Sequence, residues 1–524
     1  MLRLFRCRPP PPRPLSPPPD LPELRALCAA IIDRPDDVEL RLILADWLEE
    51  HREPSRAELL RLQCRIAGVK TSDPIYPDLA EAEAALRRRH RPAWEGNLSS
   101  ASALGGNARW WSLDRGLFRV FLSTESLLQP EVRARLAPEA DATLVAFADT
   151  GLTEETAAAL AASPLLAAVT RLHAGGFFRD DGVRALAASP HLGRLRWLVV
   201  DHKGVAPATV AALAAARWPQ LTSLGLRGVG TDGRAMGDEG ARDLLAVPWV
   251  GRLTQLELGA NRLGDAGARA LAASPQLANL EMLGLERNGI GDEGVGALAR
   301  SLHLARLRRL YLTHNEFGAE GAAALWHSPH LTRCAINLWP TRLGPEGGLA
   351  LASSPWLAHR TELDLWDTHL GDAGAEALAR SPAAAGLRRL SLTGNDLGPA
   401  GAEALAASPH LAGLEELTLN FNHLGDAGVW ALARSPYLGR LRRLGLGHNG
   451  VGDAGAVALA AAPHLAGLEE LYLRSEAIGP AGARALAASP HLGRLMSLDL
   501  LGAPVGLRGR YALRRRFGHA VWCD

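Results

Sequence analysis

The chain is expected to fold as an α/β solenoid, with a parallel sheet on the concave side, helices on the convex side and a small α-helical module near the N-terminus. Three observations lead there. A unit of 27 residues recurs down most of the 524-residue chain. Each copy opens with apolar residues at period two, such as Leu256 and Leu258, the spacing of a strand with one buried face. Each copy then carries a small-residue stretch, such as Ala268 to Ala273, that suits a helix. A unit this short cannot bury its apolar face alone, so neighbouring copies must stack.

One copy runs Leu253-x-x-Leu256-x-Leu258-x-x-Asn261-x-Leu263-Gly264-Asp265-Ala266-Gly267 and ends at Ser274-Pro275. The strand residues pair with the same residues of the next copy. The Asn recurs at Asn288, Asn315, Asn395, Asn422 and Asn449, and a stack of short amides satisfies backbone groups of the turns. Gly264 permits a sharp turn. The next position is Asp in some copies (Asp265, Asp292, Asp372, Asp426, Asp453) and Pro in others (Pro345, Pro399, Pro480). Both suit a helix start, because Asp accepts orphan N–H groups and Pro has none to leave unpaired. The helix stops before Ser-Pro, where Pro cannot continue it.

These residues resemble the ribonuclease-inhibitor-type leucine-rich repeat over residues 141–506. The resemblance implies a horseshoe that binds proteins. The pattern departs from it where Thr341, Thr368, Glu476 and Ala503 replace the Asn. Thr341 and Thr368 fall on consecutive rungs and mark a local irregularity. The first repeats are degenerate, and the step from Val205 to Met236 is lengthened by a Gly-rich loop, Gly228 to Arg234.

The remaining chain divides by composition. Residues 1–20 are Pro-rich and expected to be extended, since such a run forms no core. Residues 21–68 read as a helical module. Asp36 with Glu39 forms an acidic capping box, and Leu40, Ile43, Leu44, Trp47 and Leu48 make one apolar face. Pro54 separates this helix from a second, with Leu59, Leu60, Leu62 and Ile66. The segments Ile31 to Asp37, Arg41-Leu42-Ile43-Leu44-Ala45-Asp46-Trp47-Leu48-Glu49-Glu50 and Glu58 to Gln63 resemble the repeat-companion domain of planctomycete bacteria. The turn at His51 to Pro54 departs from that family's pattern. The resemblance implies an identity for the module but no mechanism. Residues 69–140 are a linker and N-terminal cap, with a helix over Ala80 to Arg91 and a strand pair or cap around Trp110 to Phe121. Residues 507–524 break the repeat and cap the last rung, and their basic triplet Arg514 to Arg516 reads as a solvated surface.

Composition narrows the function classes. The net charge of +1 gives no polyanion-binding imbalance. The only lysines are Lys70 and Lys203. The five cysteines (Cys7, Cys28, Cys64, Cys334, Cys523) show no C-x-x-C spacing, which disfavours a disulfide framework or zinc site and fits a reducing, cytoplasmic compartment. No apolar run approaches the roughly 18 residues of a membrane span, and no secretory signal is expected. There is no phosphate loop, nucleophile triad or metal cluster. No cofactor, metal, nucleic acid, membrane or small-molecule substrate is expected, and the chain is expected to be a monomer.

The repeat register picks out residues on the concave face that core packing does not dictate. Tyr311, Trp339 and Trp366 fall on three consecutive rungs, with Asn337 and Asp364 beside them. At a strand spacing of about 4.8 Å these rings would form one patch, the makeup of a protein-binding hot spot. The alternative is that Trp339 and Trp366 pack on each other to cover the irregular rungs. Tyr472 and Arg474 are a second, smaller contact. The His residues of Pro-His-Leu copies (His191, His330, His410, His464, His491) read as repeated turn residues rather than a metal ladder. His314, His423 and His448 lie beside the Asn turns.

The leading function is a non-catalytic protein-interaction scaffold. The alternative is a GTPase-activating protein of the Ran type, a class that uses similar repeats. A third reading makes Asp46, Glu49 and Glu50 enzymatic acids, against a solvated helix face.

Overall fold

In the computed structural model, the described residues are 27, 30, 31, 37–50, 54–69, 75–97, 110–114, 117–123, 143–152, 154–178, 180–202, 206, 209–210, 213–228, 235–338, 341–474 and 476–523. The Pro-rich leader, Asp36, Arg115-Gly116 and Trp339 lie outside them. The chain forms two compact units, Met1–Gly204 with Ala215–Asp232, and Val205–Ala214 with Gly233–Asp524.

Among the described residues, the first unit includes helices Val38–Glu50, Pro54–Ala67 and Tyr76–Asn97. The cap of the first is Asp37, whose Oδ1 accepts the N–H groups of Glu39 (3.1 Å) and Leu40 (3.2 Å). The expected apolar face is also rotated. Leu44, Ala45 and Leu48 are buried with Ala57, Leu60 and Cys64, while Leu40 and Trp47 only border this cluster and Ile43 is exposed. Pairing with the second helix selects the side facing Ala57 and Leu60, and Ile43 lies off it. Asp46 and Glu49 both reach the Arg61 guanidinium at 2.6 Å, which ties the two helices together.

Six strands follow: β1 (Trp110–Asp114), β2 (Leu117–Ser123), β3 (Thr143–Leu152), β4 (Val169–Phe178), β5 (Trp197–His202) and β6 (Ser223–Gly228). β1 and β2 form an antiparallel hairpin, and every later pairing in this unit is parallel. Helices Glu154–Ala161 and Asp180–Ala188 follow β3 and β4.

The second unit is the regular array, with strands β7 (Gln255–Glu257), β8 (Met282–Gly284), β9 (Arg309–Tyr311), β10 (Ala335–Asn337), β11 (Glu362–Asp364), β12 (Arg389–Ser391), β13 (Glu416–Thr418), β14 (Arg443–Gly445), β15 (Glu470–Tyr472), β16 (Ser497–Asp499) and β17 (Val521–Trp522). Each strand from β7 to β16 is followed by a helix, from Asp265–Ala273 to Gly506–Phe517. The repeated leucines form the core. Leu256, Leu258, Leu283, Leu310, Leu417 and Leu471 are fully buried.

Polar side chains bind rung to rung. Asn422 Oδ1 accepts the N–H groups of Asn395 (2.9 Å) and Leu397 (3.0 Å), and its Nδ2 donates to Leu392 O and Leu419 O (both 2.9 Å). Where Glu476 replaces Asn, its carboxylate takes the acceptor half, receiving Asn449 N at 2.6 Å and Val451 N at 2.5 Å. The Ser of Ser-Pro donates to the end of the preceding rung's helix, as Ser435 does to Ala406 O (2.6 Å) and Ser489 to Ala460 O (2.6 Å).

The Asp at each helix start acts on the following rung, not on its own helix. Asp265 Oδ1 accepts Gly291 N (2.8 Å) and Gly294 N (2.9 Å), and Asp372, Asp426 and Asp453 repeat the pattern. These carboxylates lie where the next helix exposes its orphan N–H groups. The receiving glycines are extended, with φ of −94° at Gly291 and −103° at Gly452. After Ala319, Pro345, Pro399 and Pro480 no such acceptor exists. Gly344, Gly371, Gly425 and Gly506 in the next rungs then take φ of +62°, +60°, +55° and +63°. Gly344, Gly371 and Gly425 send their N–H forward instead, to Thr368 O, Asn395 O and Asn449 O.

Candidate protein-binding face of the second unit

The outward residues of each strand stand beside those of the next copy, because the strands pair in register. The first outward position reads Glu362, Arg389, Glu416, Arg443, Glu470 along β11 to β15. The signs alternate, so each arginine lies between two carboxylates. Arg389 pairs with Glu362, and Arg443 reaches Glu416 (3.1 Å) and Glu470 (3.3 Å). The preceding row repeats the device, with Arg442 and Glu469 at 3.3 Å. Sequence reading missed this ladder, although the alternation at a 27-residue period was its signal.

The sheet is interrupted between the two consecutive rungs that carry Thr341 and Thr368 in place of the Asn. β7 to β10 form one continuous parallel stretch and β11 to β17 another, with no pairing between β10 and β11. In a regular rung the carbonyl before the strand accepts a strand N–H, as Glu281 O does from Arg309 (3.0 Å). At Cys334 side chains take over. Trp356 Nε1 donates to Cys334 O at 2.9 Å, and Arg360 reaches Cys334 O (3.2 Å) and Thr332 O (2.9 Å) with its guanidinium 4.6 Å from the Trp356 ring centre. Burial pushes the Cys334 thiol up to about 12. Thr341 and Thr368 are buried, and their hydroxyls meet Leu338 O and Leu365 O. The Thr368 hydroxyl also lies 2.8 Å from Asn395 Oδ1 on the next rung, but a single hydroxyl does not supply the several backbone contacts of the Asn amide. On the helix side the same rungs come close, and a Cβ added to Gly348 would lie 2.5 Å from Gly374 Cα.

The expected site residues fall on both sides of this interruption. Tyr311 and Asn337 are register partners on β9 and β10, half-buried and exposed respectively. Asp364 and Trp366 are exposed at and just beyond the end of β11, and Asp364 Oδ1 accepts Trp366 N at 3.2 Å. The uniform strand spacing assumed for a single aromatic patch therefore does not hold between Asn337 and Asp364. Gly394, at φ +67°, lies beside the indole; the left-handed backbone favours glycine there, while a Cβ would make only ordinary contact with the ring at 3.6 Å. Farther along, Tyr472 Oη donates to the Glu470 carboxylate, and this bond, with burial, pushes its hydroxyl up to about 12. Arg474 holds Asp499 through Nε (3.1 Å) and Nη2 (3.0 Å).

Around the turns, residues before the Asn position adopt left-handed backbone, including His314 (φ 57°), Phe421 (φ 55°) and His448 (φ 59°). Phe421 and His448 stack at 4.2 Å with rings 11° apart, and a shallow depression runs past them to His423 and Gly450. His369 Nδ1 lies 2.7 Å from Asp396 Oδ2. Among the described residues no group of three His, Cys, Asp or Glu side chains is placed to hold a metal.

Known proteins carry the same pattern. A family profile described as Leucine Rich repeat matches residues 253–272, 276–299, 303–325, 361–379, 387–406, 413–433 and 441–460. The chain carries leucine-rich repeats. The matched copies skip the stretch from 326 to 360, where the leucine-rich-repeat sheet is interrupted. No curated protein sequence matches the chain. Among solved structures it is similar to an internalin of Listeria monocytogenes (16% identity, 71% of this chain and 88% of that one, TM-score 0.37). It is also similar to a chain of the yeast Rad7–Elc1 complex (16%, 96% and 98%, TM-score 0.37) and to one of the TLR13–ssRNA13 complex (15%, 80% and 67%, TM-score 0.37).

Proposed function

We propose that the protein is a non-catalytic, monomeric interaction scaffold that binds a protein partner on the strand face of its second unit. The contact is centred on Tyr311, Asn337, Trp339, Asp364 and Trp366, with Tyr472 and Arg474 as a flanking contact. The observation that carries this reading is Trp366, which is 42% exposed on the strand side although the neighbouring core positions are filled by leucine. An exposed Trp beside an exposed carboxylate is the composition of a binding hot spot. The paired Arg/Glu ladder that runs from Trp366's own strand, β11, to β15 is largely neutralised internally and contributes complementarity rather than affinity. Cytoplasmic residence is part of the proposal, supported by the free thiols of Cys334 and Cys523. Among the described residues, no helix is long and apolar enough to cross a membrane.

The test is affinity capture with the parent chain and a Tyr311→Ala, Trp339→Ala, Trp366→Ala variant of matched thermal stability. A partner lost only by the variant supports the reading. A partner retained by both overturns it, and stimulated GTP hydrolysis by a captured small GTPase would favour the GTPase-activating alternative.

A further inference from the structure

The last helix, Gly506–Phe517, carries Arg508, Arg510, Arg514, Arg515 and Arg516. All but Arg510 are exposed, and none forms an ion pair among the described residues. On the strand face, by contrast, Arg389, Arg442, Arg443 and Arg474 each meet a carboxylate of a neighbouring rung. In the repeat register, Arg510 and Arg514 occupy the places of Ala483 and Ala487 in the preceding helix. Any large polar residue there would stop another helix from stacking, so ending the array does not require a single sign of charge. Arg514 to Arg516 suit the C-terminal end of the helix dipole, but Arg508 sits in the first turn, where a cation is disfavoured.

Two apolar side chains accompany this charge. Leu507 is 81% and Tyr511 71% exposed. Four residues apart, they share one helix face, with Arg508 and Arg515 on one side of the stripe and Arg514 on the other. A polynucleotide would use the arginines and the tyrosine ring but leave Leu507 idle. A phospholipid surface uses every member, with guanidinium groups on lipid phosphates and Leu507 and Tyr511 at the headgroup boundary. We propose that this face of the terminal helix docks reversibly on an anionic bilayer. The expectation of no membrane contact rested on the absence of a spanning segment, which this mode does not need.

The test is co-sedimentation of the full chain with vesicles of phosphatidylcholine plus phosphatidylglycerol, and with phosphatidylcholine alone. Two variants are compared, Arg508→Ser/Arg514→Ser/Arg515→Ser and Leu507→Ser/Tyr511→Ser, each with circular dichroism and melting matched to the parent. The parent is expected to pellet only with the anionic vesicles. Each variant is expected to bind about tenfold more weakly or worse, since one cation near such a surface is worth about fivefold. Failure of the parent to pellet with anionic vesicles would overturn the proposal. So would undiminished binding by the Leu507→Ser/Tyr511→Ser variant, or an oligouridylate that binds the parent as tightly as the vesicles do.

Discussion

Asp426 accepts the N–H of Gly452 at 2.7 Å, one rung downstream, and the same oxygen accepts Gly455 N at 2.9 Å. One carboxylate thus serves as the N-terminal cap of the next helix, with no side chain of that helix taking part. Replacing Asp426 by Ala leaves both N–H groups without their acceptor. The expected loss is about 1–2 kcal/mol, the range for removing an N-cap, read from urea unfolding. The receiving rung supplies no substitute carboxylate, because its own Asp453 is directed onward to Gly479.

The identity of that position sets which glycines are replaceable. Gly425 follows Pro399 and sits at φ +55°, so Ala there is expected to cost about 1–2 kcal/mol. Gly264 follows Asp238 and is extended at φ −101°, and an added Cβ meets Asp238 Oδ2 only at 3.5 Å. Ala at 264 should therefore change stability by about 0.5 kcal/mol or less. Equal losses at the two sites, in parallel thermal melts, would refute the link between the Asp/Pro choice and the next rung's backbone.

Asn422 joins two rungs through five backbone groups, whereas the Thr368 hydroxyl meets one carbonyl, Leu365 O, and the Asn395 side chain. Asn422→Ala is expected to cost about 2–4 kcal/mol, because buried backbone groups lose their partners. Thr368→Ala should cost less than half as much. Hydrogen exchange would place the Asn422 effect at the turns around Asn395 and Asn422.

Burial holds the His464 imidazole below its ordinary value, with only partial compensation from Leu432. The unfolded chain binds that proton more readily. The neutral ring's contribution is therefore fully present above about pH 6.5 and is lost as pH falls below it. The parent is expected to lose more stability than His464→Gln between pH 7.5 and 5.5, in paired melting curves (about one His ionisation apart). Equal pH dependence would remove His464 as a contributor.

Much of the array was legible because each copy restates it. Leu256 and Leu258 at period two announce a buried strand face, and the Asn at a fixed offset announces the ladder. The substitutions Thr341 and Thr368 flagged the place where the sheet parts. What stayed hidden depends on distances between copies. The Asp at the helix start reads as a local cap until the next rung is set beside it. Arg389 and Arg443 read as surface charge until register places them between glutamates. In the N-terminal module, Asp46 and Glu49 share one helix, but their common partner Arg61 is on another. Of the candidate site, sequence could nominate Tyr311 and Trp366 by register, but not the interruption of pairing between their strands.

The most direct test of the proposed binding face is site-specific photocrosslinking. A benzophenone side chain would be placed at Trp366, on the strand side, and separately at Trp430, which is 54% exposed on the helix Gly425–Leu432. The account predicts a covalent adduct with the captured partner from position 366 and none from position 430. An adduct formed only from position 430 would contradict it and move the binding surface to the helices.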